Sequence, residues 1–287
     1  MNWSERRARF RAVLAGPACV YPGSVHDPVS ARIAEDLGFE VGMFAGSTGS
    51  LAVLGAPDLI VLTLTEFAQQ ALRINRAART LPLMVDADHG YGNALNVKRT
   101  VEELETAGVA GLTIEDTLLP VPYGASGKTQ LITIEEGVGK MRAALAGRQD
   151  PALTIVARTS AMQLAGEAET IMRARAYAAT GVDALFLVGV ATRAQLDAVA
   201  ASVQLPLMLG TMPAALADRE YLAARGVRLA LQGHLPFDAA IRAIHDTLKA
   251  LRNGTNPADI AGIASGDLVK QVTRDAEYRR WMKEFLG

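Results

Sequence analysis

The sequence predicts an α/β fold of the (β/α)8 TIM-barrel class, and three observations carry that expectation. Apolar runs of strand length alternate with segments of helical periodicity, about eight times in all, the number such a barrel needs. Several helical segments stop at a glycine placed as a helix C′ residue: Gly38, Gly108, Gly181 and Gly226. Reactive polar residues gather at the carboxyl ends of the apolar runs, where parallel α/β folds keep their chemistry. A length of 287 residues suits one such barrel, with residues 1–287 forming a single domain.

Taken in order, the cluster Arg6-Arg7-Ala8-Arg9-Phe10-Arg11 reads as part of a first helix rather than as a nucleic-acid tail. Ala18–Val25 and Phe39–Ala45 supply the first two strands. Small residues follow the second, Gly46-Ser47-Thr48-Gly49-Ser50, whose backbone amides can approach a ligand closely. Leu81–Val85, Val109–Ile114 and Ala152–Ala157 are strands three to five, and Asn96–Ala107, Ile134–Leu145 and Ala168–Ala179 are the helices after them. Val182–Val188, Leu205–Leu209 and Val227–Leu231 complete the set. The segment Thr117 to Thr133 is long for a barrel loop, and it fits either a mobile lid or an inert surface excursion. Asn253 to Asn256 breaks the helix after the eighth strand, which leaves residues 253–287 as a C-terminal helical tail. Trp281, Phe285 and Leu286 in that tail need an apolar surface to cover, on a partner subunit or on the same barrel.

Half of the residues are hydrophobic and 21% are charged, as expected of a protein with a large buried sheet. A formal net charge of −1 gives no reason to expect nucleic acid or an anionic membrane as partner. The single Cys19 rules out an intrachain disulfide and a thiolate metal cage. No apolar run reaches transmembrane length and no signal-peptide core is visible, so a cytoplasmic enzyme is expected.

The segment Met84-Val85-Asp86-Ala87-Asp88-His89-Gly90-Tyr91-Gly92 is the most informative one. Strand alternation would put Asp86 and Asp88 on one face, and two carboxylates so close call for a divalent cation to keep both ionised. By the same alternation His89 points away and is structural. Asp58 lies on the loop after the second strand, while Glu115-Asp116, Arg158 and His234 follow strands four, five and eight. Several carboxylates without cysteine suit Mg²⁺, or Mn²⁺ in its place, better than Zn²⁺. Arg158 offers a fork for a substrate carboxylate, and amides near Gly46 and Ser47 can stabilise an oxyanion. A metal beside a carboxylate clamp suggests a 2-oxo acid as substrate. Duller roles exist for each residue: Arg158 as an ion-pair partner of Glu115 or Asp116, His234 and Ser47 as helix caps, Asp116 as a loop anchor.

At these residues the chain resembles the phosphoenolpyruvate mutase/isocitrate lyase superfamily. The matching segments are Phe44-Ala45-Gly46-Ser47, Gly55-Ala56-Pro57-Asp58, Asp86-Ala87-Asp88-His89-Gly90-Tyr91-Gly92, Gly111-Leu112-Thr113-Ile114-Glu115-Asp116 and Ala157-Arg158-Thr159, in the expected order. The resemblance implies a barrel whose last helix is exchanged between subunits, in a homotetramer built as a dimer of dimers. It implies Mg²⁺ on Asp86, with Asp58, Asp88 and Glu115 holding metal-bound water, and an enolate intermediate. The loop after the fourth strand lacks both the Lys-Lys-Cys-Gly motif of the isocitrate and methylisocitrate lyases and the Lys-Lys-Asn motif of the phosphonopyruvate enzymes. In contrast, Leu231-Gln232-Gly233-His234 and Glu115-Asp116-Thr117-Leu118-Leu119-Pro120 are similar to the oxaloacetate-decarboxylating branch. The expected activity is therefore release of CO₂ and pyruvate from oxaloacetate, with His234, Arg158 and Ser47 as catalytic residues and Gly46 beside them in substrate binding. The alternatives are dimethylmalate-type cleavage, phosphonopyruvate hydrolysis or mutation, and a catalytically silent metabolite-binding barrel.

Overall fold

The structure, a computed structural model, describes residues 3–125 and 127–287. Packing divides the chain into two compact units, Met1–Gly233 and His234–Gly287. In the first, eight parallel strands lie side by side in sequence order: β1 (Gly23–Ser24), β2 (Gly42–Ala45), β3 (Leu83–Asp86), β4 (Gly111–Glu115), β5 (Thr154–Thr159), β6 (Ala184–Leu187), β7 (Leu207–Leu209) and β8 (Val227–Ala230). Helices α1 (Trp3–Ala15), α2 (Pro28–Asp36), α3 (Gly46–Gly49), α4 (Leu64–Ala77) and α5 (Ala94–Thr106) accompany the first four strands. They are followed by α6 (Ile134–Gly147), α7 (Ala161–Leu164), α8 (Glu167–Ala178), α9 (Arg193–Ser202) and α10 (Arg219–Ala224). A parallel bridge from Val20 to Leu229 ties the approach to β1 back to β8, so the sheet curls on itself as a TIM-type barrel requires. The expected first strand, Ala18–Val25, is thus split. Pro22 has no N–H to donate, and the pairing passes from Val20 on β8 to Gly23 on β2.

The strands read as continuous apolar runs because both of their faces are covered. Met43, Met84, Val156, Phe186, Met208 and Leu229 point inward, and Phe10 and Leu14 of α1 join that inner cluster. Val85, Leu112, Ile114 and Ile155 face outward against Val97, Val101, Leu104 and Met141 of the surrounding helices. The basic cluster belongs to α1, as expected, and its charges are used. Arg6 donates to the carbonyls of Asn75 and Ala78 at the end of α4. Arg7 donates to those of Glu105 in the last turn of α5 and Val109 beyond it, and Arg11 to those of Ala152 and Leu153 ahead of β5. The guanidinium groups of Arg6 and Arg7 satisfy carbonyls at the ends of α4 and α5 and oppose the negative pole of the helix dipole.

Helices begin where a side chain can accept an orphan amide: Asp27, Thr63, Asn93, Thr133, Thr192 and Asp218 all do so. They end as expected at Gly38, Gly108, Gly181 and Gly226, each with φ between 77° and 93°. The small-residue segment Gly46 to Ser50 forms the helical turn α3, which runs into a π-helical turn, Ser50–Leu54. The excursion between β4 and α6 has a closed stem: Leu118 donates to Gln130, Ile132 to Asp116, and Thr117 bridges Leu131. Tyr123 near its tip is fully exposed, and Ser126 lies outside the described residues.

The second unit holds α11 (Leu235–Arg252), α12 (Gly266–Thr273) and α13 (Asp275–Phe285). The first of these ends at the expected break, Asn253 to Asn256. None of its residues is buried, although Leu235, Ile241, Ile244, Leu248 and Leu251 are all large and apolar.

Candidate active site

Strand register builds the site. Asp86, the last residue of β3, stands beside Thr113 of β4, and Glu115, the last of β4, stands beside Arg158 of β5. The Thr113 hydroxyl donates to Asp86 Oδ1 at 2.6 Å. The Arg158 guanidinium bonds Asp86 Oδ2 through Nη1 and Glu115 Oε2 at 3.1 Å through Nη2. Its flat face rests 5.4 Å from the centre of the Phe186 ring of β6. Three adjacent strand ends therefore bring Asp86, Glu115 and Arg158 together at one mouth of the barrel.

Asp88 reaches this group by a different route from the one strand alternation suggests. β3 stops at Asp86, and Asp88 has a left-handed backbone (φ 49°) in the turn beyond it. The turn folds its carboxylate against the start of α3, where a Cβ on Gly46 would run into both carboxylate oxygens. Only glycine leaves room for that contact. The turn is fixed from below by Lys140, buried on α6, whose Nζ donates to the His89 carbonyl at 2.9 Å. His89 itself is buried; burial first and the Lys140 charge second hold its imidazole down to about 4.

The charges at this mouth do not balance. Burial, then the charges of Asp86, Glu115 and Asp58, hold Asp88 well above the usual carboxylate range. Burial pushes Glu115 up to about 7, against the pull of Arg158 and with the help of Asp86. Burial also disfavours the Arg158 cation, but Asp86, Glu115, Asp88 and Asp58 outweigh it and hold the guanidinium charged. Asp58, exposed on the loop after the π-helical turn, is close enough to act on both Asp88 and Arg158.

The phosphoenolpyruvate phosphomutase family model matches residues 10–252, which is most of the chain and all of the barrel. The chain belongs to that family. An oxaloacetate decarboxylase of Bradyrhizobium diazoefficiens is 58% identical over 287 residues, covering 100% of this chain and 99% of that protein. Among solved structures, an oxaloacetate acetylhydrolase in complex with its product oxalate superposes with a TM-score of 0.83 at 29% identity, over 96% of each chain. A phosphonopyruvate hydrolase complexed with oxalate and Mg²⁺ gives 0.84 at 27% identity, over 98% of this chain and 99% of that one.

Phosphomutase-family proteins are metal-dependent, and the residues present here fit a hard cation. Asp86, Asp88 and Glu115 bring three carboxylates against one guanidinium, a charge deficit that a divalent ion would cancel. No group of three or more His, Cys, Asp or Glu side chains among the described residues forms a ready-made cage.

The remaining expected residues are placed as follows. Ser47 lies inside α3 and caps nothing; Thr48 bonds the Ala45 backbone at the helix start instead. Asp116 is the loop anchor. Its buried carboxylate accepts from Arg173 at 2.9 Å and from the Tyr177 hydroxyl at 2.8 Å, both on α8. Arg158 therefore pairs with Glu115 and Asp86, while Asp116 takes Arg173. His234 begins the second unit, immediately before α11, and its side chain makes no capping bond there. Sequence reasoning missed Thr113, Lys140, Phe186 and the Arg173–Tyr177 pair. Thr113 alone carried a signal, because it is two residues before Glu115 and so on the same face of β4.

Proposed function

We propose that this protein is a Mg²⁺-dependent oxaloacetate decarboxylase that releases CO₂ and pyruvate, with Mn²⁺ able to replace Mg²⁺. The observation that carries the proposal is the under-compensated acid group at the mouth, in a chain matching a decarboxylase of that name over its full length. Asp86 would hold the ion directly, and Asp58, Asp88 and Glu115 would hold its water. Bound there, the ion supplies Lewis acidity toward the keto oxygen of a 2-oxo acid.

The chain's own residues do the rest. Arg158, steadied by Phe186, presents a planar fork to the C1 carboxylate. The amides of Gly46 and Ser47 are in the first turn of α3, where N–H groups have no intrahelical acceptor, and they favour negative charge on the keto oxygen. The C3–C4 bond breaks with its electron pair moving toward C3 and the keto oxygen, and C4 leaves as CO₂. A proton then reaches C3 from His234 or from a water that His234 orients. A firm cationic grip on the C4 carboxylate would stabilise the ground state and slow the step, so we assign His234 to positioning and proton delivery.

The same reading extends to assembly and location. We propose that a second copy of the chain covers the apolar face of α11, exchanging the last barrel helix in a homotetramer, because that helix buries none of its own large apolar residues. No helix of the described residues is long and apolar enough to cross a membrane; we place the enzyme in the cytoplasm. The deciding experiment offers a panel of 2-oxo acids with Mg²⁺ and scores CO₂ and pyruvate. Chelator-sensitive turnover confined to oxaloacetate is expected, and rapid turnover of phosphonopyruvate or dimethylmalate instead would overturn the assignment. Light scattering on the eluting protein should give four chains per particle.

A further inference from the structure

Tyr91 is a residue that the activity, as described so far, leaves unused. It is the third residue after Asp88, in the turn Asp88-His89-Gly90-Tyr91-Gly92 that carries that acid. Its backbone is left-handed (φ 60°), a conformation in which a bulky L-residue is strained. Its ring lies 6.2 Å from Phe67 of α4 and 6.2 Å from His89. Phe67 in turn stacks on Phe44 of β2 at 4.7 Å, so the ring is braced from two elements. The phenol oxygen is buried and has no hydrogen-bond partner among the described residues. Burial, then Asp88, Asp86 and Asp58, keep the phenol well above its usual range, so it carries its proton and has a hydrogen to donate.

A buried hydroxyl without a partner costs stability, and a strained backbone adds to that cost. Phenylalanine would fill the same space without the first of these penalties. We propose that the Tyr91 hydroxyl donates a hydrogen bond to a water that Asp58, Asp88 and Glu115 hold around the cation, which makes Tyr91 a positioning residue of the metal shell. The inference rests on the metal reading given under Proposed function. It accounts for a buried, protonated hydroxyl without a protein partner, which ring packing alone does not.

The test is Tyr91→Phe, which keeps the ring contacts with Phe67 and His89. Mg²⁺ binding is measured by titration calorimetry on the otherwise metal-free protein, and the thermal midpoint is read in chelator. The variant should bind Mg²⁺ about 10-fold or more weakly, the usual scale for losing an outer-shell partner. Its chelated midpoint should equal or exceed that of the wild type, since no protein hydrogen bond is lost. Wild-type Mg²⁺ affinity in the variant would overturn the inference, and so would a lowered chelated midpoint with unchanged affinity. If the wild type itself bound no Mg²⁺, the inference would fall together with the metal reading. Binding by the wild type and equally by the variant would remove Tyr91 alone.

Discussion

Replacing Arg158 by methionine would keep an apolar stem over Phe186 and delete the guanidinium that bonds Asp86 and Glu115. Glu115 is 4% exposed and Asp86 8%, so solvent does little to soften the loss. Removing one partner of a buried ion pair costs about 3–5 kcal/mol, because the other charge is left behind. Proton uptake limits that cost. Glu115 is pushed up to about 7 even with Arg158 beside it, and losing that guanidinium pushes it further up, so taking a proton costs less at ~pH 5.5 than at ~pH 8. With roughly 2–4 °C per kcal/mol for a chain of this size, the metal-free variant should melt about 10 °C below wild type at ~pH 8. The gap should shrink at ~pH 5.5, and Mg²⁺ should restore more of the midpoint at ~pH 8 than at ~pH 5.5. Scanning calorimetry in chelator and in saturating Mg²⁺, at both pH values, measures all of these quantities. A variant that melts with the wild type at ~pH 8, or that loses the same amount at both pH values, would refute the view that Arg158 compensates the acid group.

Asp86→Ala should abolish oxaloacetate turnover and weaken oxalate binding in the presence of Mg²⁺; full turnover by this variant, or turnover unaffected by exhaustive chelation, would sink the metal reading. Gly46→Ala adds a Cβ against the Asp88 carboxylate, so Mg²⁺ affinity should fall while circular dichroism stays that of the wild type. In the wild type without metal, Glu115 titrates at about 7 when folded against 4.5 ordinarily. The folded state therefore binds more protons between these values, and its contribution to stability is present near ~pH 4.5 and lost as the pH rises toward ~7, on the order of 3 kcal/mol in all. Urea titrations across that range should show the decline, and flat stability would contradict it. His234→Ala should lower turnover about 10²-fold while leaving oxalate binding to the Mg²⁺ form nearly unchanged, and His234→Gln should recover part of the rate if positioning dominates.

Much of the barrel was legible because parallel strands buried on both faces leave unmistakable apolar runs, and because a chain that must leave a helix in a left-handed turn writes glycine there. The acids were legible for a related reason, since an apolar run that stops at Asp86 or Glu115 marks a strand end. What a strand period cannot supply is geometry beyond the strand. Asp88 is two residues past the last paired residue of β3, and its position depends on a turn held by Gly46 and Lys140, from two other elements. The split of the first strand is legible only once Pro22 is seen as a missing donor between two different neighbours.

Partnerships were the least legible, because register and not local sequence decides them. Arg158 meets Asp86 across 72 residues and Arg173 meets Asp116 across 57. Nothing in the sequence said which of two arginines would take which of three neighbouring acids. Alternation along β4 settles it. Thr113 and Glu115 face the interior and the mouth; Ile114 faces the outer helices, and Asp116, next in the alternation, reaches Arg173 and Tyr177 of α8. Two adjacent carboxylates are thereby given opposite tasks. The inward one stays uncompensated enough to want a cation, and the outward one is tied through Oδ2 to Arg173 and Tyr177, while the backbone carbonyl of the same residue accepts from Ile132 at the stem of the long loop. Exchanging their identities, with Glu at 116 and Asp at 115, would keep the composition and the charge of the chain. It would also leave Arg158 short of its second carboxylate by one methylene and force an extra one into a fully buried anchor, where overpacking typically costs about 1–3 kcal/mol.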